Sequence, residues 1–176
     1  LLENKELTIV DVTGTKEASF ELDILVRSIV GKTDNKGAAT KLKVGRDVYR
    51  KANCVGCHKW HGDGGSSKGG TALSLRTTKL DTAGIEYLVR CGRPASGMPY
   101  HGRNAYKGDD KSCYNKTGAE LGENIPPRAR NLLSQRQMDA VVEYVVNVIQ
   151  GSGEQTLEQC VAYWGEKSRQ CDSFRQ

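Results

Sequence analysis

Cys54-Val55-Gly56-Cys57-His58 constrains this chain more than any other stretch of it. Two thiols with two residues between them reach the two vinyl groups on one side of a porphyrin. The histidine beside the second thiol then lies under the metal and offers an imidazole nitrogen to iron. The five residues together specify a covalently bound haem c, thioether anchors at Cys54 and Cys57, and a proximal iron ligand at His58. A dithiol redox pair would open a helix after a buried strand, and no apolar strand precedes Cys54. A structural zinc site would need two further ligands at knuckle spacing, whereas Cys91, Cys113, Cys160 and Cys171 stand singly.

A porphyrin also bears on the size of the core. Only 37% of the 176 residues are hydrophobic, and a buried macrocycle supplies much of the missing apolar interior. No run approaches the ~18 apolar residues of a membrane span. The start, Leu1-Leu2-Glu3-Asn4-Lys5, has neither the basic residues nor the apolar stretch of a secretory signal, as expected of a chain already processed. Four cysteines beyond the motif admit three pairings. Proximity favours Cys91 with Cys113 and Cys160 with Cys171. Thioether-bound haem and disulfides both point to a compartment outside the bacterial cytoplasm, the periplasm.

The net charge of +5 is unevenly spread. Residues 1–39 hold five basic and seven acidic side chains, and residues 40–176 hold twenty-one and fourteen. A basic surface around the haem region favours encounter with an acidic redox partner. Nucleic acid is excluded as that partner, because acids are interspersed with the bases and no aromatic-basic motif is present.

Three segments follow from the pattern. Residues 1–39 form an N-terminal extension. Leu7-Thr8-Ile9-Val10-Asp11-Val12 and Phe20-Glu21-Leu22-Asp23-Ile24 read as strands joined by a turn at residues 13–16, and residues 31–37 read as a linker. Residues 40–150 form the main domain. A helix over 40–53 leads into the motif, with Val44, Val48 and Ala52 on one face and Gly45 and Tyr49 on the next. Residues 61–72, rich in glycine, read as loop; they lack the ending of a phosphate-binding loop. Asp81 caps a helix to about Arg90, with Ile85 and Leu88 inward. Residues 91–133 read as irregular, and the glycosylation-like Asn115-Lys116-Thr117 is read as incidental. Ser134-Gln135-Arg136-Gln137 is a capping box with Leu133 and Met138 as its hydrophobic staple. The helix behind it carries Met138, Val141, Val142, Val145, Val148 and Ile149 as one stripe, ended by Gly151. In the tail, 151–176, Thr156-Leu157-Glu158-Gln159 repeats the capping pattern before a short helix to about Trp164.

In this order the pieces resemble the class I c-type cytochromes over about residues 40–150. The resemblance implies a mainly α cytochrome c fold around one covalent haem. Here it would carry a β-hairpin-like N-terminal extension and a disulfide-linked helical tail. In that family a glycine and an aromatic of the first helix pack on an aromatic of the last, which Gly45, Tyr49 and Tyr144 match. A helix ending in glycine before a Met-Pro pair matches Gly92 and Gly97-Met98-Pro99, which makes Met98 the distal ligand. The family's proline soon after the motif, whose carbonyl orients the proximal histidine, is absent between His58 and Pro94; some other backbone carbonyl must serve.

His101 competes with Met98, since both lie on one loop and only one can face iron. His61, three residues past His58, is expected at the surface or the haem edge, and Met138 in the core. Met98 ligation raises the potential and leaves no vacant iron site. The function implied is one-electron carriage between a periplasmic dehydrogenase or other oxidoreductase and a respiratory acceptor, rather than catalysis. Lys51, Lys59 and Lys68 are the lysines placed to steer an acidic partner. The alternatives are a haem-bearing subunit docked in a larger redox complex, such as a dehydrogenase, and an open-site haem enzyme or sensor.

Overall fold

The computed structural model of the chain describes residues 34–67 and 70–175. The strands expected at 7–12 and 20–24, their turn, the start of the 31–37 linker and Lys68 lie outside the described residues. The chain divides after Ala39, and the unit Thr40–Gln176 carries the site.

Helix α1, Asp34–Lys51, begins earlier than the composition predicts, so residues 34–37 are its first turn and not linker. One glycine near a helix start costs only about 1 kcal/mol, and the Ala-, Lys- and Leu-rich run that follows favours helix. Its buried face is Gly45, Val48 and Tyr49, continued by Ala52, while Val44 is 37% exposed. The expected face is therefore rotated by one position. The cause is the approach of α5, Gln135–Tyr144, at Gly45. A methyl group at Gly45 would lie 2.1 Å from the Ala140 carbonyl oxygen and 2.6 Å from Tyr144 Cβ, so only glycine lets the two backbones meet. Beside that contact the Tyr49 and Tyr144 rings lie 5.8 Å apart at a tilt of 55°.

The start of α5 is legible in its sequence. The Ser134 side chain accepts from Gln137 N–H and the Gln137 side chain accepts from Ser134 N–H, while Leu133 and Met138 are both buried in the main core. The helix then widens into a π turn, Val145–Ile149, in which Gln150 N–H donates to the Val145 carbonyl at 2.8 Å. The wider turn swings Val148 to solvent (38% exposed) and brings Ile149 into the core. This is why the stripe read from α-helical offsets fails at Val148 alone.

The motif forms a single turn, α2, Cys54–His58, entered through left-handed Asn53. Residues 61–72 are not loop throughout: β1, Gly65–Ser67, pairs antiparallel with β2, Gly70–Ala72. Helix α3, Thr82–Cys91, is capped by the Asp81 carboxylate on Gly84 N–H at 2.8 Å and ends at Gly92, with Ile85 buried and Leu88 half-buried.

Residues 91–133 are also more ordered than expected. They hold β3, Tyr100–Gly102, α4, Gly118–Leu121, and β4, Arg128–Leu133, with β3 and β4 parallel. Three residues are too few to show alternation in sequence, and an irregular register between Tyr100 and Gly102 hides the pairing further. Thr117 is buried and caps α4 in a reciprocal box with Glu120, which gives the apparent sequon a structural role.

Both favoured disulfides, Cys91–Cys113 and Cys160–Cys171, are present. The tail helix α6, Leu157–Trp164, lies on α1: Arg46 Nη1 donates to the Ala162 carbonyl at 2.6 Å, and Arg50 stacks over Tyr163 and Trp164. Thr156 caps it, but Gln159 does not reach back; its amide donates instead to the Ser152 carbonyl. Among the described residues no helix is long and apolar enough to cross a membrane.

Placing a valine at Gly45 should drive α1 and α5 apart. Gly45→Val is expected to cost about 2–3 kcal/mol of unfolding free energy, the upper range for overpacking because the obstacle is backbone. Denaturant unfolding of the mature protein would measure it.

Candidate functional site

On one helical turn, positions i, i+3 and i+4 share a face. Helix α2 therefore puts the Cys54 thiol, the Cys57 thiol and the His58 imidazole on one side. Both cysteines are half-buried and neither disulfide includes them. Burial pushes the Cys54 thiol up to about 12. A dithiol redox pair works by the opposite shift, toward thiolate, which this setting does not favour.

The turn is held from three directions. Tyr49, fully buried in α1, donates its hydroxyl to the Lys59 carbonyl at 2.9 Å. Gly64 N–H donates to the His58 carbonyl at 3.3 Å. The imidazole Nδ1 of His58 lies 3.0 Å from the Leu73 carbonyl oxygen. A carbonyl only accepts, so Nδ1 carries the hydrogen and Nε2 keeps its lone pair. Burial lowers the His58 pKa below the usual histidine value, and the Leu73 bond opposes that shift.

Leu73 thus supplies the carbonyl that the missing proline would otherwise provide. Glycine at position 64 makes this possible: a methyl group there would lie 2.3 Å from the Ala72 carbonyl oxygen and 2.8 Å from that of Leu73. The Leu73 side chain is 68% exposed, an apolar surface beside the carbonyl that meets His58. A half-buried imidazole with Nε2 available, two thiols on the same face and an uncovered leucine beside them fit a covalent porphyrin.

Met98 and His101 occupy different settings. Met98 is half-buried in the loop between α3 and β3. Its carbonyl accepts from Arg93 N–H at 3.1 Å and its own N–H donates to Ser96 Oγ at 3.2 Å. The loop springs from a second core in which the Cys91–Cys113 disulfide is surrounded by Tyr87, Tyr100, Tyr106 and Tyr114. Tyr106 and Tyr114 donate their hydroxyls to the Cys91 and Gly92 carbonyls, each at 2.7 Å. His101 belongs to β3, is 5% exposed, and its Nδ1 lies 3.0 Å from the Asn131 carbonyl of β4.

His61, expected at the surface or the haem edge, is half-buried rather than on open surface. Its side chain is 9% exposed, wedged edge-on against Trp60 with ring centres 5.0 Å apart, and Nδ1 lies 3.1 Å from the Asp63 carboxylate. Burial lowers its pKa, with Asp63 opposing. Met138 lies in the core. Lys51 is exposed and Lys59 half-buried.

A family model described as cytochrome c matches residues 42–148. The chain belongs to the cytochrome c family. Among curated proteins and solved structures nothing matches significantly. The protein is therefore a c-type cytochrome, a haem-based electron carrier whose mainly helical fold holds covalent haem c. Proteins of this family typically work outside the cytoplasm. Sequence reasoning missed Leu73 and Gly64 as parts of the site. A main-chain acceptor leaves no side-chain signal, and a glycine within a glycine-rich stretch is not distinguished from its neighbours.

His101 is buried neutral, and burial lowers its pKa. An unfolded chain then binds more protons than the folded one below the unfolded histidine pKa of about 6.5, so stability falls as pH drops below that value. His101→Gln should remove this contribution, a slope of up to about 1.4 kcal/mol per pH unit, from unfolding curves measured between pH 7 and pH 5.

Proposed function

We propose that this cytochrome is a class I, one-electron carrier of the bacterial periplasm with His58 and Met98 as axial ligands. It would pass electrons between a dehydrogenase or other oxidoreductase and a respiratory acceptor. The observation that carries the proximal half is the His58–Leu73 bond, which fixes both the tautomer and the ring plane of the imidazole. Haem iron bound here exchanges one electron between its ferric and ferrous states.

Met98 is supported as the distal ligand by the rigidity of its loop. The Ser96 hydroxyl accepts from Met98 N–H and donates to the Arg93 carbonyl, and the tyrosines hold the loop's base. A thioether on that loop and the His58 imidazole would close both faces of the iron. That leaves no position for peroxide or a gas, which favours carriage over an open-site enzyme or sensor. The two disulfides support an oxidising compartment.

One observation favours a second reading of the distal face. Like His58, His101 gives its Nδ1 hydrogen to a backbone carbonyl, which leaves Nε2 as a nitrogen donor. The first reading assigns His101 to locking β3 on β4 instead. Met98→Ala should abolish the weak long-wavelength absorption of thioether-bound ferric haem and lower the potential, whereas His101→Gln should retain the band. Absence of that band from the parent protein, with the haem spectrum changed by His101→Gln and unchanged by Met98→Ala, would make the cytochrome bis-histidine.

The redox partner proposed is a protein with an acidic docking surface, met by Lys51, Lys59 and Lys68. Neutralising all three should slow electron exchange with such a partner and flatten its dependence on salt, as stopped-flow kinetics over a range of ionic strength would record. Unchanged rates would remove these lysines from the interface. The inner face of the C-terminal tail packs on its own chain, against α1 and Trp60.

A further inference from the structure

We propose that Arg76, gripped by the C-terminal tail, is the positioning residue for the proximal histidine. Its guanidinium fixes the segment whose Leu73 carbonyl orients His58. This rests on His58 being the iron ligand.

Arg76 is 8% exposed, an uncommon state for arginine. Nη1 donates to the His61 carbonyl at 2.9 Å, on the turn that leaves the haem motif. Nε donates to the Gly153 carbonyl at 2.7 Å, and Nη2 donates to the same oxygen. Nη2 also reaches Gln159 Oε1 at 3.4 Å, and Nε lies 3.2 Å from Asp63 Oδ1. The planar fork thus joins the turn after His58 to two points of the tail, a task that suits arginine and not lysine.

The backbone around Arg76 repeats the connection. Leu75 N–H donates to the Gly62 carbonyl at 2.7 Å, and the Arg76 carbonyl accepts from Gly151 N–H at 2.9 Å. Leu73 therefore lies between two anchors: the β1–β2 hairpin before it and the Leu75–Arg76 brace behind it. Residues 73–76 belong to no helix or strand, so these anchors set where the Leu73 carbonyl points. The strength of the bond that this carbonyl accepts governs how strongly His58 donates to iron, since a firmer Nδ1–H bond makes the imidazole a better donor and favours the ferric state. On this account Gly153 and Gln159 of the tail belong to the proximal site.

The test compares haem-loaded full-length protein with Arg76→Gln and Arg76→Lys. The readouts are the deuterium exchange of the His58 Nδ1–H, followed by NMR in the ferric form, and the reduction potential. Loss of the brace should speed exchange by about tenfold or more, the weight of one charge-assisted hydrogen bond, and raise the potential. Arg76→Lys should fall between. If Arg76→Gln does not mature with haem, Arg76→Lys carries the same readouts. Exchange and potential equal to the parent protein, even with lower thermal stability, would overturn the proposal and leave Arg76 as an attachment for the tail. Absence of a paramagnetic shift on the His58 ring in the parent protein would instead sink the proximal-ligand reading itself.

Discussion

The hydrogen bond from His58 Nδ1 to the Leu73 carbonyl is the contact on which the arrangement depends. The motif alone delivers two thiols and an imidazole to one face of a helical turn. It does not say which nitrogen faces the metal, or at what ring angle. Those two facts come from a carbonyl fifteen residues away. The chain reaches it by folding a glycine-rich segment into a short hairpin and stepping past Gly64 at a distance that no side chain allows. The hairpin is a device for bringing an acceptor to His58.

The remainder of the domain divides its labour between two cores. One is built where α1 meets α5, with Tyr49 and Tyr144 at the contact, and it carries the haem motif on its edge through Tyr49 and the Lys59 carbonyl. The other is small and rich in tyrosine, centred on the Cys91–Cys113 bridge, and it carries the Met98 loop. The second is cheap in apolar residues. A disulfide and hydroxyl-to-carbonyl bonds replace what a larger hydrophobic cluster would supply, which suits a chain of modest hydrophobic content.

What the sequence discloses follows from which atoms carry the interaction. The Ser134 box and the Asp81 cap are side-chain signals at fixed spacing and are legible, and Gly45 with Tyr144 is legible through the family resemblance. The Leu73 acceptor, the β3–β4 pairing and the π turn are main-chain events. Leucine is as good as any residue at offering a carbonyl, and nothing in Val145-Val146-Asn147-Val148-Ile149 announces a wider turn. Val44 and Val148 depart from their expected faces for the same reason: the helix period is readable, but its phase is set by a neighbour's approach or by a change of pitch. Arg76 illustrates the limit from the other side. A single arginine in a polar stretch looks like a solvated charge, and only the folded tail makes it an interior one.

A link between the two cores bears on how a carrier keeps its geometry while its charge changes. His101 in β3 holds the Asn131 carbonyl, and the Asn131 side chain donates to the Lys51 carbonyl at 2.7 Å, three residues before Cys54. The strand behind the Met98 loop is thereby tied to the end of the helix that presents the haem motif. Each joint in this path is a hydrogen bond to a backbone carbonyl, so none depends on a side-chain charge that a redox change would perturb. A scaffold built this way resists movement of the Met98 loop relative to the haem motif. Electron transfer rewards that property directly, because every displacement that accompanies a change in iron charge adds to the barrier, whereas a catalytic haem needs one face left open to a substrate.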